Sequence, residues 1–342
     1  MNHQERISAF IELGKVLGEI SEKPQESDWA AAFNRAEAEN RWFTQENIAL
    51  ALRGIAFMLE ADKLQKWLSN YPPTPDNGEK RVALIMAGNI PLVGFHDLLC
   101  VLISGNTAVV KMSSQDEVLV QKLVETLAEI SPELADRVEL SDGKIEGFTH
   151  VIATGSNNSA RHFEYYFGKY PNIIRKNRNS IAIINGDESL DELRALGKDI
   201  FRYFGLGCRN VSKVYLSDKM SPEMFLATLE DWKPIANHNK YFNNYEYHKA
   251  IFLVEKMAHL DNGFLLLREE PSLGCPVGVL HFQPYATLDQ MKAEVKIHED
   301  EIQCIVASDK LGFENSVPFG KAQSPELWDY ADGVDTIEFL LA

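Results

Sequence analysis

The feature that most constrains the fold is the stretch of residues 81–111, where two apolar strands flank an apolar helix. Residues 82–86 (VALIM) form the first strand, and Gly105 and Asn106 form a turn just before the second. This order of elements fits within the length of a βαβ unit, whose two strands are parallel. The stretch therefore predicts a parallel sheet with helices packed on its faces.

The same alternation continues along the chain. Apolar periodicity predicts further helices at residues 116–130, 159–166 and 190–203 and further strands at residues 150–153, 181–184 and 211–216. Residues 1–70 have helical spacing and predict a helical cap, and residues 71–80 (YPPTPDNGEK) have the turn formers of a connection. The apolar run at residues 336–341 is predicted to be a strand. A chain of 342 residues has room for two domains, which we divide near Gly186.

Composition limits the classes of partner. Fifty acidic against 34 basic residues give a net charge of −16, which opposes binding to nucleic acid or to an anionic membrane. The sequence has no apolar window of about 18 residues, and residues 1–6 are polar rather than signal-like, so we expect a cytoplasmic protein. The four cysteines lie far apart without CxxC spacing, which predicts free thiols and no metal site.

Two strand-to-helix connections could bind a phosphate. One is residues 87–91 (AGNIP), which include Asn89, and the other is residues 154–157 (TGSN). At such places the free N–H groups and the dipole of the helix face an anion. Neither connection matches the GxGxxG fingerprint of dinucleotide sites, so the pattern alone leaves a plain turn as the alternative.

Cys208 lies in a turn with two glycines, residues 205–210 (GLGCRN), just before a predicted strand. The adjacent Arg209 would favour the thiolate, which is the attacking form of cysteine. The glycines would let a substrate carbonyl approach the backbone closely, as acyl transfer requires. The alternative is an inert thiol, as we expect for Cys100 and Cys304, whose apolar neighbours indicate core packing.

Taken in order, these and later segments resemble the aldehyde dehydrogenase superfamily and, within it, the LuxC-type acyl-CoA reductases. The similar segments, within residues 81–342, are GNIP at 88–91, GNTAVVK at 105–111, TGS at 154–156, GLGC at 205–208, REE at 268–270, GCPV at 274–277 and VPFG at 317–320. The resemblance implies an aldehyde dehydrogenase-like α/β fold with three parts. These are an N-terminal helical cap with a doubly wound NAD(P)-binding domain (1–186), an α/β catalytic domain (187–325) and a C-terminal strand segment (326–342).

The resemblance also implies roles for individual residues. Cys208 would be the nucleophile, and the Asn89 side-chain amide would help the Cys208 backbone N–H to hold the oxyanion. The residues on the nucleotide would be Lys111, Ser114, Thr154, Gly155, Ser156 and Glu270, the last on the nicotinamide ribose. Ser114 stands where many NAD-preferring members have a glutamate, so the neutral side chain favours NADPH, with NADH as the alternative.

One departure from the pattern bears on the reaction. Arg175 stands where the superfamily has its glutamate general base, and hydrolysis of a thioacyl enzyme needs a base to activate water. A reductase that starts from an acyl thioester needs no such water. We therefore expect reduction of a fatty acyl-CoA to the aldehyde through an acyl-cysteine. Edge pairing of the terminal strand with a second copy could give a homo-oligomer.

Two alternatives stay open. The chain could be a CoA- or phosphate-dependent aldehyde dehydrogenase or a relative of glutamyl-phosphate reductase, which share the fold and the nucleophile. It could also be a non-catalytic family member that binds acyl groups, because several motifs depart from the family pattern.

Overall fold

The computed structural model describes residues 1–72, 80–141 and 143–342. The chain forms two compact units, one of Met1–Asn177 together with Pro325–Ala342 and one of Arg178–Ser324. Gly186, where we divided the sequence, lies within the second unit. The predicted connection at residues 71–80 lies mostly outside the described residues.

The first unit is built around a five-stranded parallel sheet. Its elements in chain order are α1 (His3–Glu22), α2 (Ala30–Glu39), α3 (Gln45–Met58), α4 (Ala61–Leu68), β1 (Arg81–Ile85), α5 (Phe95–Ile103), β2 (Thr107–Lys111), α6 (Glu117–Ile130), α7 (Pro132–Ala135), β3 (Val138–Ser141), β4 (His150–Thr154), α8 (Asn157–Phe167) and β5 (Asn172–Arg175). The strand order is β3-β2-β1-β4-β5. All neighbours are parallel, which confirms the predicted sheet.

The strand order reverses between β1 and β4, as in doubly wound folds. The central residues of these strands, such as Ala83, Ala108 and Val151, are fully buried because helices cover both faces. Since all five strands are parallel, their carboxyl ends meet at one edge of the sheet. The loops after β1, β2 and β4 therefore share the edge where doubly wound folds bind ligands.

The N-terminal residues are helical, as predicted. Asn2 begins α1 with a capping box, in which its side chain accepts from the Glu5 N–H and the Glu5 carboxylate accepts from the Asn2 N–H. The buried face of α1 includes Phe10, Leu13 and Leu17, at the spacing of a helix that packs on one side. These apolar side chains join the core that α5 and the sheet also share.

The second unit contains a six-stranded sheet. Its elements in chain order are β6 (Asn179–Ile184), α9 (Leu190–Phe201), β7 (Val211–Ser217), α10 (Pro222–Ala227), α11 (Asn239–Val254), β8 (Leu260–Asp261), β9 (Leu266–Glu269), β10 (Val279–Tyr285), α12 (Leu288–Ile297) and β11 (Ile302–Val306). The strand order is β11-β6-β7-β10-β9-β8. All pairs are parallel except β8 with β9, so the amino ends of β6, β7 and β10 share one edge.

The predicted terminal strand is wrong, because residues 336–341 form a helix, α13 (Thr336–Leu341). The Asp335 carboxylate caps this helix by accepting from the Glu338 N–H at 2.9 Å. Ile337 and Leu340, three residues apart, are buried together and pack in the same core as α5. A short apolar run fits either structure, and here burial on one face favours the helix. The segment through which we expected pairing with a second copy is therefore not a strand.

No helix among the described residues is both long enough and apolar enough to cross a membrane.

Candidate functional site

The loop after β1 packs closely on the loop after β2. A Cβ atom on Gly88 would lie only 2.4 Å from the Ser113 Oγ, so only glycine allows this approach. The side chains of Asn89 and Ser114, in these two loops, are exposed at the carboxyl edge of the first sheet. The structure thus brings together the two loops that the sequence assigned to oxyanion and nucleotide binding.

The buried carboxyl group of Asp116 holds the loop that follows Asn89. Asp116 stands at the start of α6, yet its Oδ2 accepts from the Leu92 N–H at 2.7 Å instead of capping its own helix. Leu92 has a φ of 54°, a left-handed conformation that is unfavourable for a branched side chain. Burial raises the pKa of Asp116 well above its usual value, which favours the neutral acid.

The loop after β4 forms a compact helix start. The Ser156 side chain caps α8 by accepting from the Ser159 N–H at 3.2 Å. A Cβ on Gly155 would come within 2.9 Å of both Phe163 and Ser159, so the chain passes close to the first two turns of α8. Thr154 ends β4 directly before this turn. The arrangement leaves helix N–H groups and a hydroxyl at the sheet edge.

These features fit the phosphates of a nicotinamide nucleotide. The loops after β1 and β4 flank the point where strand order reverses. Each loop contains a glycine, Gly88 or Gly155, at which a Cβ atom would clash with a neighbouring side chain. Lys111 ends β2, and its Nζ donates to the Gly143 carbonyl at 2.8 Å. In the second unit Glu270 is about a quarter exposed and pairs with Arg268 at 2.8 Å.

Cys208 follows an unusual backbone turn. Tyr203, Phe204 and Gly205 all have φ between 52° and 78°, so three successive residues are left-handed. The two aromatic residues are unfavourable in this region and persist only where packing imposes the conformation. The Phe204 ring stacks on His238, with ring centroids 4.2 Å apart. Strained backbone of this kind is typical of functional sites.

The buried side chain of Asn210 holds the turn of Cys208 in place through hydrogen bonds. Its Oδ1 accepts from the Gly207 N–H at 2.8 Å. Its Nδ2 lies near three carbonyl oxygens, those of Asp199 (3.0 Å), Ile200 (3.3 Å) and Arg202 (2.9 Å). One side chain thus joins the end of α9 to the turn that carries Cys208.

A second buried group, Asp199, ties α9 to residues 320–322. Its carboxylate accepts from the N–H groups of Gly320 (2.6 Å) and Ala322 (2.9 Å). Burial raises the pKa of Asp199 to about 6, although these hydrogen bonds lower it. Arg209 joins the same arrangement, because its Nε donates to the Ala322 carbonyl at 2.6 Å. The cation that we expected beside the thiol therefore also has a structural contact.

The four thiols differ in their surroundings. Cys100 and Cys304 are buried, as expected, and the Cys304 thiol donates to the Ser180 Oγ at 3.1 Å. Burial raises the pKa of the Cys100 thiol well above its usual value and that of Cys275 to about 12. Cys208 is half-buried, and its carbonyl accepts from the Ser180 hydroxyl at 2.9 Å. Cys100 and Cys275 are thus held as thiols, which are poor nucleophiles.

A small pocket lies beside the turn of Cys208 in the second unit. Its walls include Phe204, Gly205, Tyr241 and Cys275. Its volume of about 20 Å³ is close to that of a single water position and far below that of an ordinary ligand pocket. The pocket as it stands therefore does not hold an acyl chain.

Arg175 stands at the position that the resemblance gives to the general base. Its side chain makes structural contacts inside the first unit. Its guanidinium forms an ion pair with Asp97 and donates to the Thr336 Oγ1 at 3.0 Å. Only 5% of its side chain is exposed. The pKa of Arg175 is raised; burial opposes the charge, but Asp97 outweighs it. A permanently charged, buried guanidinium cannot accept a proton from water.

Sequence reasoning missed four residues that hold these segments. Asn210 lies two residues after the cysteine, in a position typical of side chains that bond to nearby backbone. Lys213 is the one charged residue of strand β7 (Val211–Ser217) and lies next to Val214, a pattern that signals a buried charge. Asp116 and Asp199 carry weaker signals, because an aspartate before or within a helix is usually a cap or a surface residue.

Comparison with known proteins identifies a family that matches this chain. Residues 31–232, more than half of the chain, match the family described as Acyl-CoA reductase (LuxC). A 111-residue stretch, 28% of this chain, is 30% identical to Linoleate diol synthase of Gaeumannomyces graminis. The chain spans about a tenth of the length of that relative.

Solved structures of aldehyde dehydrogenases have the same fold. The Pseudomonas syringae indole-3-acetaldehyde dehydrogenase AldA is 12% identical, with a TM-score of 0.66 over 90% of this chain and 72% of that one. KauB, an aldehyde dehydrogenase of Pseudomonas aeruginosa, is 14% identical, with a TM-score of 0.63 over 90% and 72%. An E. coli NADP-dependent enzyme is 14% identical, with a TM-score of 0.65 over 91% and 76%.

The likeness confirms the predicted aldehyde dehydrogenase-like α/β fold, since identities this low speak for the fold alone. The family match covers both the β1–α5–β2 region and the turn of Cys208. The chain therefore belongs to the LuxC family of acyl-CoA reductases and has the fold of the aldehyde dehydrogenase superfamily.

Proposed function

We propose that this protein is an NAD(P)H-dependent acyl-CoA reductase, which converts a fatty acyl thioester to the aldehyde through an acyl-cysteine at Cys208. The observation that carries the proposal is the half-buried Cys208 in a strained, side-chain-locked turn, in a chain of the LuxC family. We further propose a medium or long acyl chain and a cytoplasmic location, where free thiols stay reduced.

In the proposed reaction the Cys208 thiolate attacks the thioester carbonyl. A bond forms between Sγ and the carbonyl carbon, the bond to the coenzyme A sulfur breaks, and coenzyme A leaves and takes up a proton. The Asn89 amide and the Cys208 N–H would donate to the oxyanion. The nicotinamide nucleotide, when bound, supplies the hydride that reduces the acyl group. The product is a hemithioacetal oxyanion on Cys208; its C–Sγ bond then breaks, and the aldehyde and the Cys208 thiolate are released.

The remaining proposed site residues would hold the nucleotide. Thr154, Gly155 and Ser156 would face its pyrophosphate at the start of α8, and Lys111 the adenosine ribose. Glu270 would accept from the nicotinamide ribose. The exposed, neutral Ser114 leaves room for the extra phosphate of NADPH, which we propose as the preferred form over NADH.

The surroundings of Arg175 support reduction over hydrolysis. Hydrolysis of the acyl-cysteine needs a group that takes a proton from water. The guanidinium of Arg175 is buried and paired with Asp97, so it does not supply such a base. The acyl-cysteine would therefore persist until it is reduced, which is the order of events that a reductase needs.

The test follows the acyl group. The protein is incubated with acyl-CoA esters of several lengths, the adduct is mapped by mass spectrometry, and NADPH or NADH is then added while aldehyde is measured. We expect an adduct on Cys208 and aldehyde release with NADPH. Cys208→Ala should abolish both, while the control Cys100→Ala keeps both. An adduct on Cys275 or Cys304 contradicts the assignment of the nucleophile.

The same assay separates the alternatives. Aldehyde formed from acyl phosphates but not from acyl-CoA esters would indicate a phosphorylating relative. An acyl adduct that forms while NADPH consumption stays at background would indicate a non-catalytic acyl-binding member.

A further inference from the structure

Lys213 is a fully buried cation in the second unit. It lies within β7, and its exposed fraction is 0%. Its Nζ donates to the Pro271 carbonyl and to the Gln283 Oε1, both at 2.6 Å. The pKa of Lys213 is lowered, because burial outweighs the opposing effect of Glu294 and Glu270. A buried ammonium persists only where such partners replace the lost water.

One set of partners anchors Lys213 to α12. The Nε2 of Gln283 donates to the Glu294 Oε2 at 2.8 Å, and the Tyr215 hydroxyl lies 3.4 Å from the Glu294 Oε1. The side-chain amide of Gln283 therefore links the cation of Lys213 to a carboxylate. This chain of contacts fixes the position of the ammonium within the sheet.

The other partner is the backbone directly after Glu270. Because β9 and β10 are parallel, residues 270–278 must return from the end of one strand to the start of the next. The Lys213 ammonium donates to the second carbonyl of this return, that of Pro271. The neighbouring Ser212 holds a later carbonyl, that of Leu273, at 2.8 Å. The start of β7, just after the Cys208 turn, is thus fastened to the segment that begins at Glu270.

We propose that Lys213 is a positioning residue for Glu270, because its buried ammonium fixes the Pro271 carbonyl and thereby the place where the Glu270 carboxylate meets the nicotinamide ribose. The inference rests on the proposed function, which assigns that ribose to Glu270. Its consequence is specific: loss of the ammonium should weaken nucleotide binding and leave the attack of Cys208 on a thioester intact.

The experiment compares Lys213→Met with Leu226→Ala, a core truncation in α10. Leu226 is buried in a different apolar cluster from Leu273 of the return segment. NADPH affinity is measured by nucleotide fluorescence, and acylation of Cys208 by mass spectrometry without nucleotide. We expect Lys213→Met to weaken NADPH binding about tenfold or more, the effect of losing a charged hydrogen bond, with acylation within about twofold of wild type. Leu226→Ala should melt earlier but bind NADPH with unchanged affinity.

The variant Glu270→Gln tests whether Lys213 acts through Glu270. If Lys213 acts through Glu270, the double variant of both positions should bind NADPH no more weakly than Glu270→Gln alone. Should Lys213→Met fail to fold, Gln283→Met takes its place, because it keeps the lysine but removes the amide that holds it, and a smaller loss of NADPH affinity is expected.

Three results would overturn the inference. The first is an NADPH affinity that is unchanged in Lys213→Met and in Gln283→Met. The second is a loss of NADPH affinity in the double variant that equals the sum of the losses in Lys213→Met and Glu270→Gln. The third is a loss of Cys208 acylation that parallels the loss of NADPH binding. A wild-type protein that binds neither NADPH nor NADH overturns the proposed function and the inference together. A wild-type protein that binds nucleotide but reduces no acyl-CoA contradicts the proposed function only, and the affinity comparison still decides the role of Lys213.

Discussion

Arg175 and Asp97 form an ion pair within the first unit, with side chains that are only 5% and 13% exposed. Arg175 ends β5, Asp97 lies in the first turn of α5, and the same guanidinium reaches Thr336 at the start of α13. One side chain thus joins three elements that are distant in sequence. The residue at the position where the resemblance expects a general base is therefore part of the core of the first unit.

The first prediction concerns the free energy of unfolding. Arg175→Met should lower it by about 3–5 kcal/mol, because Asp97 would remain buried without its partner. The double variant Arg175→Met/Asp97→Asn should lose much less than the sum of the single changes. Denaturant unfolding followed by circular dichroism measures all three variants. A loss below about 1 kcal/mol for Arg175→Met would show that the pair behaves like an exposed one.

Asn210 offers a test of the Cys208 turn. Asn210→Ala leaves the Gly207 N–H and the nearby carbonyls without this partner, so we expect a loss of about 1–3 kcal/mol in stability. We also expect Cys208 to be acylated about tenfold more slowly, because the turn is no longer held in one conformation. The exposed Asn243→Ala is the matched control and should behave like wild type. Equal acylation rates in all three proteins would contradict the role of Asn210.

Asp199 predicts a pH dependence of stability. Its pKa is raised to about 6 in the folded protein, so this group stabilises the fold fully below its unfolded pKa, and the contribution is lost as the pH rises through about 6. Between pH 7 and pH 5 the wild type should therefore gain roughly 1.4 kcal/mol relative to Asp199→Asn. Unfolding of both proteins across this range measures the difference. A difference that does not change with pH would show that Asp199 titrates outside this window.

Asp116 predicts a contrast between two substitutions. Burial raises the pKa of Asp116 well above its usual value and so favours the neutral side chain. Asp116→Asn keeps an oxygen for the Leu92 N–H and should change the stability by less than about 1 kcal/mol, whereas Asp116→Ala should cost about 1–3 kcal/mol. Thermal unfolding at pH 7 measures the stability of both variants relative to wild type. A large loss in Asp116→Asn would mean that the ionised form is needed.

The terminal helix makes a prediction that a strand would not. Ile337→Ala and Leu340→Ala should each cost about 2–5 kcal/mol, because both side chains are buried on one face of α13. Glu338→Ala, on the exposed face, should cost about 0.5 kcal/mol or less. In a strand, Glu338 and Leu340 would share a face. Equal effects at these two positions in denaturant unfolding would therefore contradict the helix.

The sequence alone predicted most strands of the two largely parallel sheets and the glycine-containing turn of Cys208. A strand that is covered on both faces is mostly apolar, so β1, β2, β4, β6 and β7 could be predicted from the sequence. The glycines around Cys208 and the small residues after β1 and β4 have local backbone requirements, which short motifs can record.

The tertiary structure alone decided the partners of the buried charges. Arg175 meets Asp97 from 78 positions away, and Lys213 meets Pro271 and Gln283 from 58 and 70 positions away. Such pairs leave no local pattern, because their geometry depends on how β-strands and helices assemble. The same reason explains α13: an apolar run of six residues fits a strand or a helix, and only packing in the core that α5 shares selects the helix.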